Sequence, residues 1–295
     1  MITDLMQVLV LGSVQGAVFM LIAVGYSLVY GAGGIMNLAH GAFYLIAGYM
    51  LYWYLDTIGL FLAAALAVIM VTIIGAISYY ALIKPLEKKS HLSVVMVTFA
   101  IAFFIEQMIK LGCTLLDFEE ESILPNLIEI NGTVSFELLG IDIPYDYIFI
   151  LIISFIIVGF ITLFISKSKL GTSIRAISQD REAAMLMGIN ADRVLMYTVM
   201  ISAFLAAIAA VIYVPSYPIT PWQGWLILTN SFAVVILGGM GSLPGSVIGA
   251  FILSYASHFT RVFIDPAIST LVPVIVIVVM LVFRPRGILG KKEID

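Results

Sequence analysis

The chain has 295 residues, 62% hydrophobic and only 11% charged, with a mean hydropathy of +1.13. Soluble domains are roughly half apolar, so this composition excludes a water-soluble enzyme and points to an all-α integral membrane protein; a membrane β-barrel would alternate apolar and polar residues over segments of about ten, and no such alternation is present. The net charge of −4 offers no basic excess for nucleic acid, and no nucleic-acid partner is expected.

Runs of about 20 apolar residues cross a hydrocarbon core about 30 Å thick as helices, which satisfy their own backbone there. Nine segments qualify: 8–30, 39–55, 58–83, 92–115, 146–165, 194–214, 225–240, 243–260 and 267–283. Several are short or interrupted by Gly and Pro, so eight crossings plus a half-helix is an equal expectation. The fold expected is one polytopic helical bundle over 1–295, with about 8–9 transmembrane segments including broken or half helices.

The opening "MITDLMQ" has no basic stretch ahead of its apolar run, so the first segment reads as a retained helix and not a cleaved signal. A break follows at "GAGGIMNLAHGAFYLIAGYM", Gly31 to Met50, where Gly33, Gly34 and Gly41 flank Asn37 and His40. Asn and His are expensive in lipid and are expected to face protein or water. Glu106 and Lys110, spaced i, i+4 on one helical face, are expected to neutralise each other. Cys113, the sole cysteine, allows no internal disulfide and reads as a buried structural thiol.

From Asp117 to Asp146 there are eight acids and no Lys or Arg. Within this stretch, 117–145, Asn131-Gly132 lies between alternating runs (Ile128 and Ile130, then Val134 and Phe136) and predicts a short hairpin. Residues 166–193 then crowd together Lys167, Lys169, Arg175, Asp180, Arg181, Glu182, Asp192 and Arg193. A second Gly-rich break, "LGGMGSLPGSVIGAF", centres on Gly239 and Ser242. Such breaks in both halves of a membrane chain point to discontinuous helices near a substrate path, where half-helix ends offer unpaired N–H and C=O groups; close packing through small residues is the alternative. The candidate pathway residues are therefore Gly34, Asn37, His40, Gly41, Gly239 and Ser242. His258 and Arg261 lie toward the outer end of their segment, where a long side chain can snorkel.

Twelve of the 14 basic residues fall in three places: Lys84, Lys88 and Lys89; Lys167 to Arg193; and the tail with Arg284, Arg286, Lys291 and Lys292. The positive-inside rule makes these cytoplasmic and the acidic stretch external. With nine crossings the N-terminus is outside and the C-terminus inside. There is no P-loop, no "HExxH", no Cys/His metal cluster and no nucleophile with its base. No catalytic residue, metal or cofactor is assigned to this chain, and energy for uphill movement has to come from another chain.

Read as one helix, "GTSIRAISQDREAAMLMGIN" places Ile174, Ile177, Arg181, Ala184 and Gly188 along one strip, an apolar stripe between charges suited to a groove on a soluble partner. Its core "EAAMLMG", Glu182 to Gly188, matches the Glu-Ala-Ala, three residues, Gly pattern of the cytoplasmic coupling loops of ABC importer permeases. The chain resembles the branched-chain amino-acid permeases of the LivH type nearly end to end, through "GYSLVYGAGGIMNLAHGAFYLIAGYM", "LGTSIRAISQDREAAMLMGINADRV", "AVVILGGMGSLPGSVIGAF" and "FRPRGILG". After Gly188, "INADRV" replaces the more hydrophobic ending of many permeases.

The resemblance implies a pore-forming subunit in the cytoplasmic (inner) membrane of a prokaryote. It implies a homologous second permease or a second copy, two cytoplasmic ATPases that use ATP, and an extracytoplasmic substrate-binding protein. It also implies a coupling role for residues 166–193 through Arg175, Arg181, Glu182, Ala183, Ala184 and Gly188. Urea, amide and sugar permeases share parts of these motifs. A channel or secondary transporter would need a coupling-ion site or selectivity ring and would leave the Glu182 to Gly188 motif unexplained.

Overall fold

The computed structural model describes residues 1–87, 90–121, 135–138 and 141–290. Helix α1 (Ile2–Gly33) ends at Gly34, and α2 (His40–Ile58) restarts the chain. α3 (Leu60–Ser78) runs through a π-helical turn at Tyr79–Ile83 into α4 (Lys84–Glu87), and Ser90 caps α5 (His91–Leu116). Strands β1 (Ser135–Leu138) and β2 (Ile141–Pro144) pair antiparallel, Phe136 opposite Ile143. The Asn131-Gly132 turn lies outside the described residues.

α6 (Tyr145–Lys167), α7 (Lys169–Gln179) and α8 (Arg181–Leu186) lead to α9 (Ala191–Tyr213). α10 (Gln223–Gly238) and α11 (Leu243–Phe263) follow, then the short α12 (Pro266–Ser269) and α13 (Val272–Phe283). Every one of the nine apolar segments is thus helical. Five helices are long and apolar enough to cross a membrane, and α10 with α11, bent through 119°, makes up to six. The shortfall against the expected 8–9 has a plain source. α10 has 16 residues and α13 has 12, so at 1.5 Å per residue they reach only about 24 and 18 Å against a core of about 30 Å. α2 mixes Tyr44, Tyr49, Tyr52, Trp53, Tyr54 and Asp56 into its apolar run.

α1 and α9 form the centre: 72% and 61% of their most apolar stretches are buried, against 22–28% for α3, α5 and α6. A helix apolar on all sides is one that is surrounded. Small residues let the neighbours of α1 approach. A side chain at Gly16 would meet the ring of Phe251 at 2.7 Å, and the Ser254 hydroxyl donates to the Gly12 carbonyl at 2.8 Å, which seats α11 along α1. The outer helices turn large apolar side chains outward, among them Phe61, Phe103, Phe160 and Val282, as a lipid-facing surface requires.

Glu106 is buried and its carboxylate accepts from Lys110 at 2.7 Å, as the spacing predicts, and also from the indole Nε1 of Trp225 at 2.5 Å. The second bond, which the sequence does not announce, ties α5 to α10. Cys113 is buried and free.

Candidate functional site

The first break closes α1 with Gly34 at φ 63°, whose N–H bonds the Tyr30 carbonyl. The Asn37 side-chain oxygen accepts from the N–H of Ala39 at 3.0 Å, an Asx turn that launches α2. The Leu38 N–H donates to the Thr98 hydroxyl at 3.1 Å. The Asn37 amide nitrogen is buried without a partner.

His40 is fully buried where α1, α2 and α9 meet, with Nε2 2.9 Å from the Ile22 carbonyl and Nδ1 3.0 Å from the Ser202 hydroxyl. A carbonyl only accepts, so Nε2 carries the proton and Nδ1 accepts from Ser202. Tyr26 packs edge-on against the ring at 5.7 Å. His40 therefore clamps three helices through both nitrogens. Gly41 lies against the Gly224 carbonyl of α10, so closely that a side chain there would overlap it.

At the second break, Gly238 and Gly245 bring α10 and α11 into backbone contact. The Ser242 hydroxyl accepts from the Gly245 N–H at 3.2 Å and caps α11. The last carbonyls of α10 are satisfied from the tail: Ile288 N–H donates to Leu237 and Leu289 N–H to Gly238, both at 2.9 Å. Gly239, at φ 106°, lies under Gly287 and Gly290. Sequence reading took "FRPRGILG" only for its charge and its resemblance. Its structural task is to finish a helix end that the bend would leave bare.

The two breaks meet at one end of the bundle. A side chain at Gly31 would come within 3.1 Å of the Gly241 Cα. Ser242 and Arg175 line one cavity there, of about 490 Å3. His40 and Gly41 are not part of this meeting: Ile22, which His40 grips, is nine residues before Gly31, about 14 Å along the helix. The six candidate pathway residues thus occupy two levels.

The loop corrects one expectation. Residues 171–190 are not a single helix: Asp180, with extended backbone, separates α7 from α8 and caps α8 by accepting from the Ala183 N–H at 2.9 Å. Asp is a stronger cap than helix former, so the charged run breaks the helix it sits in. The expected stripe is also mostly covered. Its Ile174, Ile177 and Ala184 are buried against the chain's own bundle while its Gly188 is exposed, and the exposed apolar tip lies beside it at Met185, Leu186 and Met187, the last two exposed by 88% and 83%.

Gly188, at φ 85°, ends α8 in a Schellman motif: Ile189 N–H to Ala184 O at 3.1 Å and Gly188 N–H to Met185 O at 3.0 Å. A side chain there would meet nothing within 4 Å, so its smallness serves the backbone and not a close neighbour in this chain. Arg175 donates to the Ile165 carbonyl at 2.6 Å, capping the end of α6. Asp192 pairs with Lys84 at 2.9 Å and Arg181 at 3.9 Å, so basic residues from distant parts of the sequence gather at this end. His258, expected to snorkel, is instead buried with neither ring nitrogen bonded, while Arg261 is exposed.

These features define a polytopic all-α membrane protein with two helix breaks beside a loop that presents an apolar tip. The profile described as "Branched-chain amino acid transport system / permease component" matches residues 8–281, and the chain belongs to that family. It is 32% identical to the high-affinity branched-chain amino acid transport system permease protein BraD of Pseudomonas aeruginosa, over 98% of this chain and 97% of that one. To LivH of Salmonella typhimurium it is 30% identical over 96% and 95%. It is also 30% identical to the fructose import permease protein FruG of Bifidobacterium longum, over 47% and 43%. No solved structure matches.

Proposed function

We propose that this chain is the pore-forming subunit of an ATP-driven importer that brings branched-chain amino acids inward across the cytoplasmic membrane. It works beside a homologous permease or a second copy, two cytoplasmic ATPases and an external binding protein. The observation that carries the reading is α8: a capped helix with Met185, Leu186 and Met187 exposed at the charged end of the bundle, a surface fit for a soluble groove. The ATPases push there, and α7, clamped to the end of α6 by Arg175, passes the movement to the two breaks. Co-purification followed by ATPase assay tests this. Hydrolysis stimulated by leucine with its binding protein supports it, whereas stimulation by fructose alone favours the sugar reading that the partial match to FruG keeps open.

In this reading the N-terminus is external and the C-terminus cytoplasmic, so the chain crosses an odd number of times. A cysteine at Asn131 is expected to react with an impermeant maleimide from outside, and one at Gln179 only once the cytoplasmic face is opened. The reverse pattern would overturn the orientation and the coupling role together.

Gly188 gives a sharper test. Tryptophan at this left-handed position costs about 1–2 kcal/mol of backbone strain and fits the free chain. It should leave membrane abundance near wild type while releasing the ATPases or severing hydrolysis from transport. Gly188→Asn, which tolerates the same backbone and adds little bulk, should retain both. Equal behaviour of the two variants would place the effect in the helix end and not in a docking groove.

A further inference from the structure

The cavity beside the two breaks has a composition of its own. Arg175 is the only charged residue among those described as lining it. Its guanidinium uses three N–H groups, on Ile165 O, Ser166 O and the Thr172 hydroxyl, and leaves two of its five donors. The N-terminus of the 21-residue α11 opens on the same space. There Pro244 has no N–H and Gly245 is capped by Ser242, and among the described residues the Leu243 N–H is unbonded. A helix start of this kind carries a partial positive charge. Ser27, fully buried on α1, also lines the cavity, and its hydroxyl has no partner. Leu28, Ile165, Ile174 and Leu289 supply apolar wall. The volume of about 490 Å3 falls in the range of small-molecule pockets, about 300–1,000 Å3.

Two positive elements, an unused hydroxyl, no acid and aliphatic walls select one ligand chemistry. We propose that this cavity binds a small aliphatic carboxylate from the cytoplasmic side. On the function proposed above, on which this inference rests, that ligand is the delivered amino acid itself. Its carboxylate takes the free donors of Arg175 and the start of α11, with Ser27 as a further donor, and its ammonium faces the carbonyl end of α1 at Gly31, which lines the same cavity. Arg175, Ile174 and Ser178 of α7 form one wall and the α10–α11 bend forms another, so an occupied cavity ties the loop to the second break. Occupancy holds back the movement of α7 and slows the next cycle, so product on the inside restrains import.

The test uses the assembled transporter in phosphatidylcholine nanodiscs with its binding protein already saturated. ATP hydrolysis is followed as free leucine rises from micromolar to millimolar. Hydrolysis is expected to fall with leucine but not with leucinamide, which lacks the carboxylate. Ser27→Ala removes a hydroxyl that bonds no other residue of the protein, so basal hydrolysis should be kept. Half-inhibition should shift about tenfold upward, the loss of one hydrogen bond to a charged group. Ser27→Leu, filling the cavity, should abolish the inhibition. A wild-type complex whose hydrolysis the leucine-loaded binding protein does not raise above that with the leucine-free binding protein would reject the transport reading. One that is stimulated but never inhibited, or inhibited equally in Ser27→Ala, would reject only this inference. Inhibition by phosphatidylglycerol in place of leucine would likewise reject it, assigning the cavity to a lipid headgroup.

Discussion

Valine at Gly238 is expected to abolish accumulation of the folded protein. A Cβ there would lie 2.7 Å from the Ser246 nitrogen and closer still to the Gly245 carbonyl. Overpacking against side chains costs about 1–3 kcal/mol because they can turn aside, but these obstacles are backbone. They belong to the same bend, so neither helix retreats without opening it and pulling α10 from the N–H groups of Ile288 and Leu289. Gly159 of α6 provides the comparison, since a Cβ there meets nothing within 4 Å. Gly159→Val should stay within about 1 kcal/mol of the parent. Membrane abundance and detergent thermal stability of the two variants, measured together, decide the matter, and equal abundance would show that the α10–α11 bend is not held as described.

Lys110→Met is expected to destabilise the protein by about 3 kcal/mol, because it strands the buried carboxylate of Glu106 with only the Trp225 indole. Adding Glu106→Gln should recover most of the loss, since the amide oxygen still accepts from Trp225 and no charge is left unpaired. Thermal unfolding of the single and double variants forms a mutant cycle. Additive losses would mean that Lys110 and Glu106 act separately despite their 2.7 Å contact.

Local patterns foretold much of this. The i, i+4 spacing gave the pairing of Glu106 with Lys110, and the apolar runs gave the helical segments, because helix periodicity and burial are properties of neighbouring residues. The sequence marks Asn37 and Ser242 as pathway candidates but not as the residues that launch α2 and α11, nor Asp180 as the cap that splits the charged run. The coupling stripe failed for a different reason. Ile174, Ile177 and Ala184 look like a docking face in one dimension, but the bundle itself covers them, and the large apolar side chains exposed on α8 and just past its end are Met185, Leu186 and Met187.

Composition and charge placement by themselves determined that the chain is a helical membrane protein with one basic end, because the cost of apolar groups in water and of charge in lipid does not depend on how the helices pack. Only the tertiary structure decided that His40 grips Ile22 and Ser202, that the tail completes α10, and that Arg175 and Ser242 share a cavity. Each of these joins residues far apart in sequence. Hydrogen bonds and close backbone contacts act over a few ångströms, so no pattern along the chain records which distant groups they bring together.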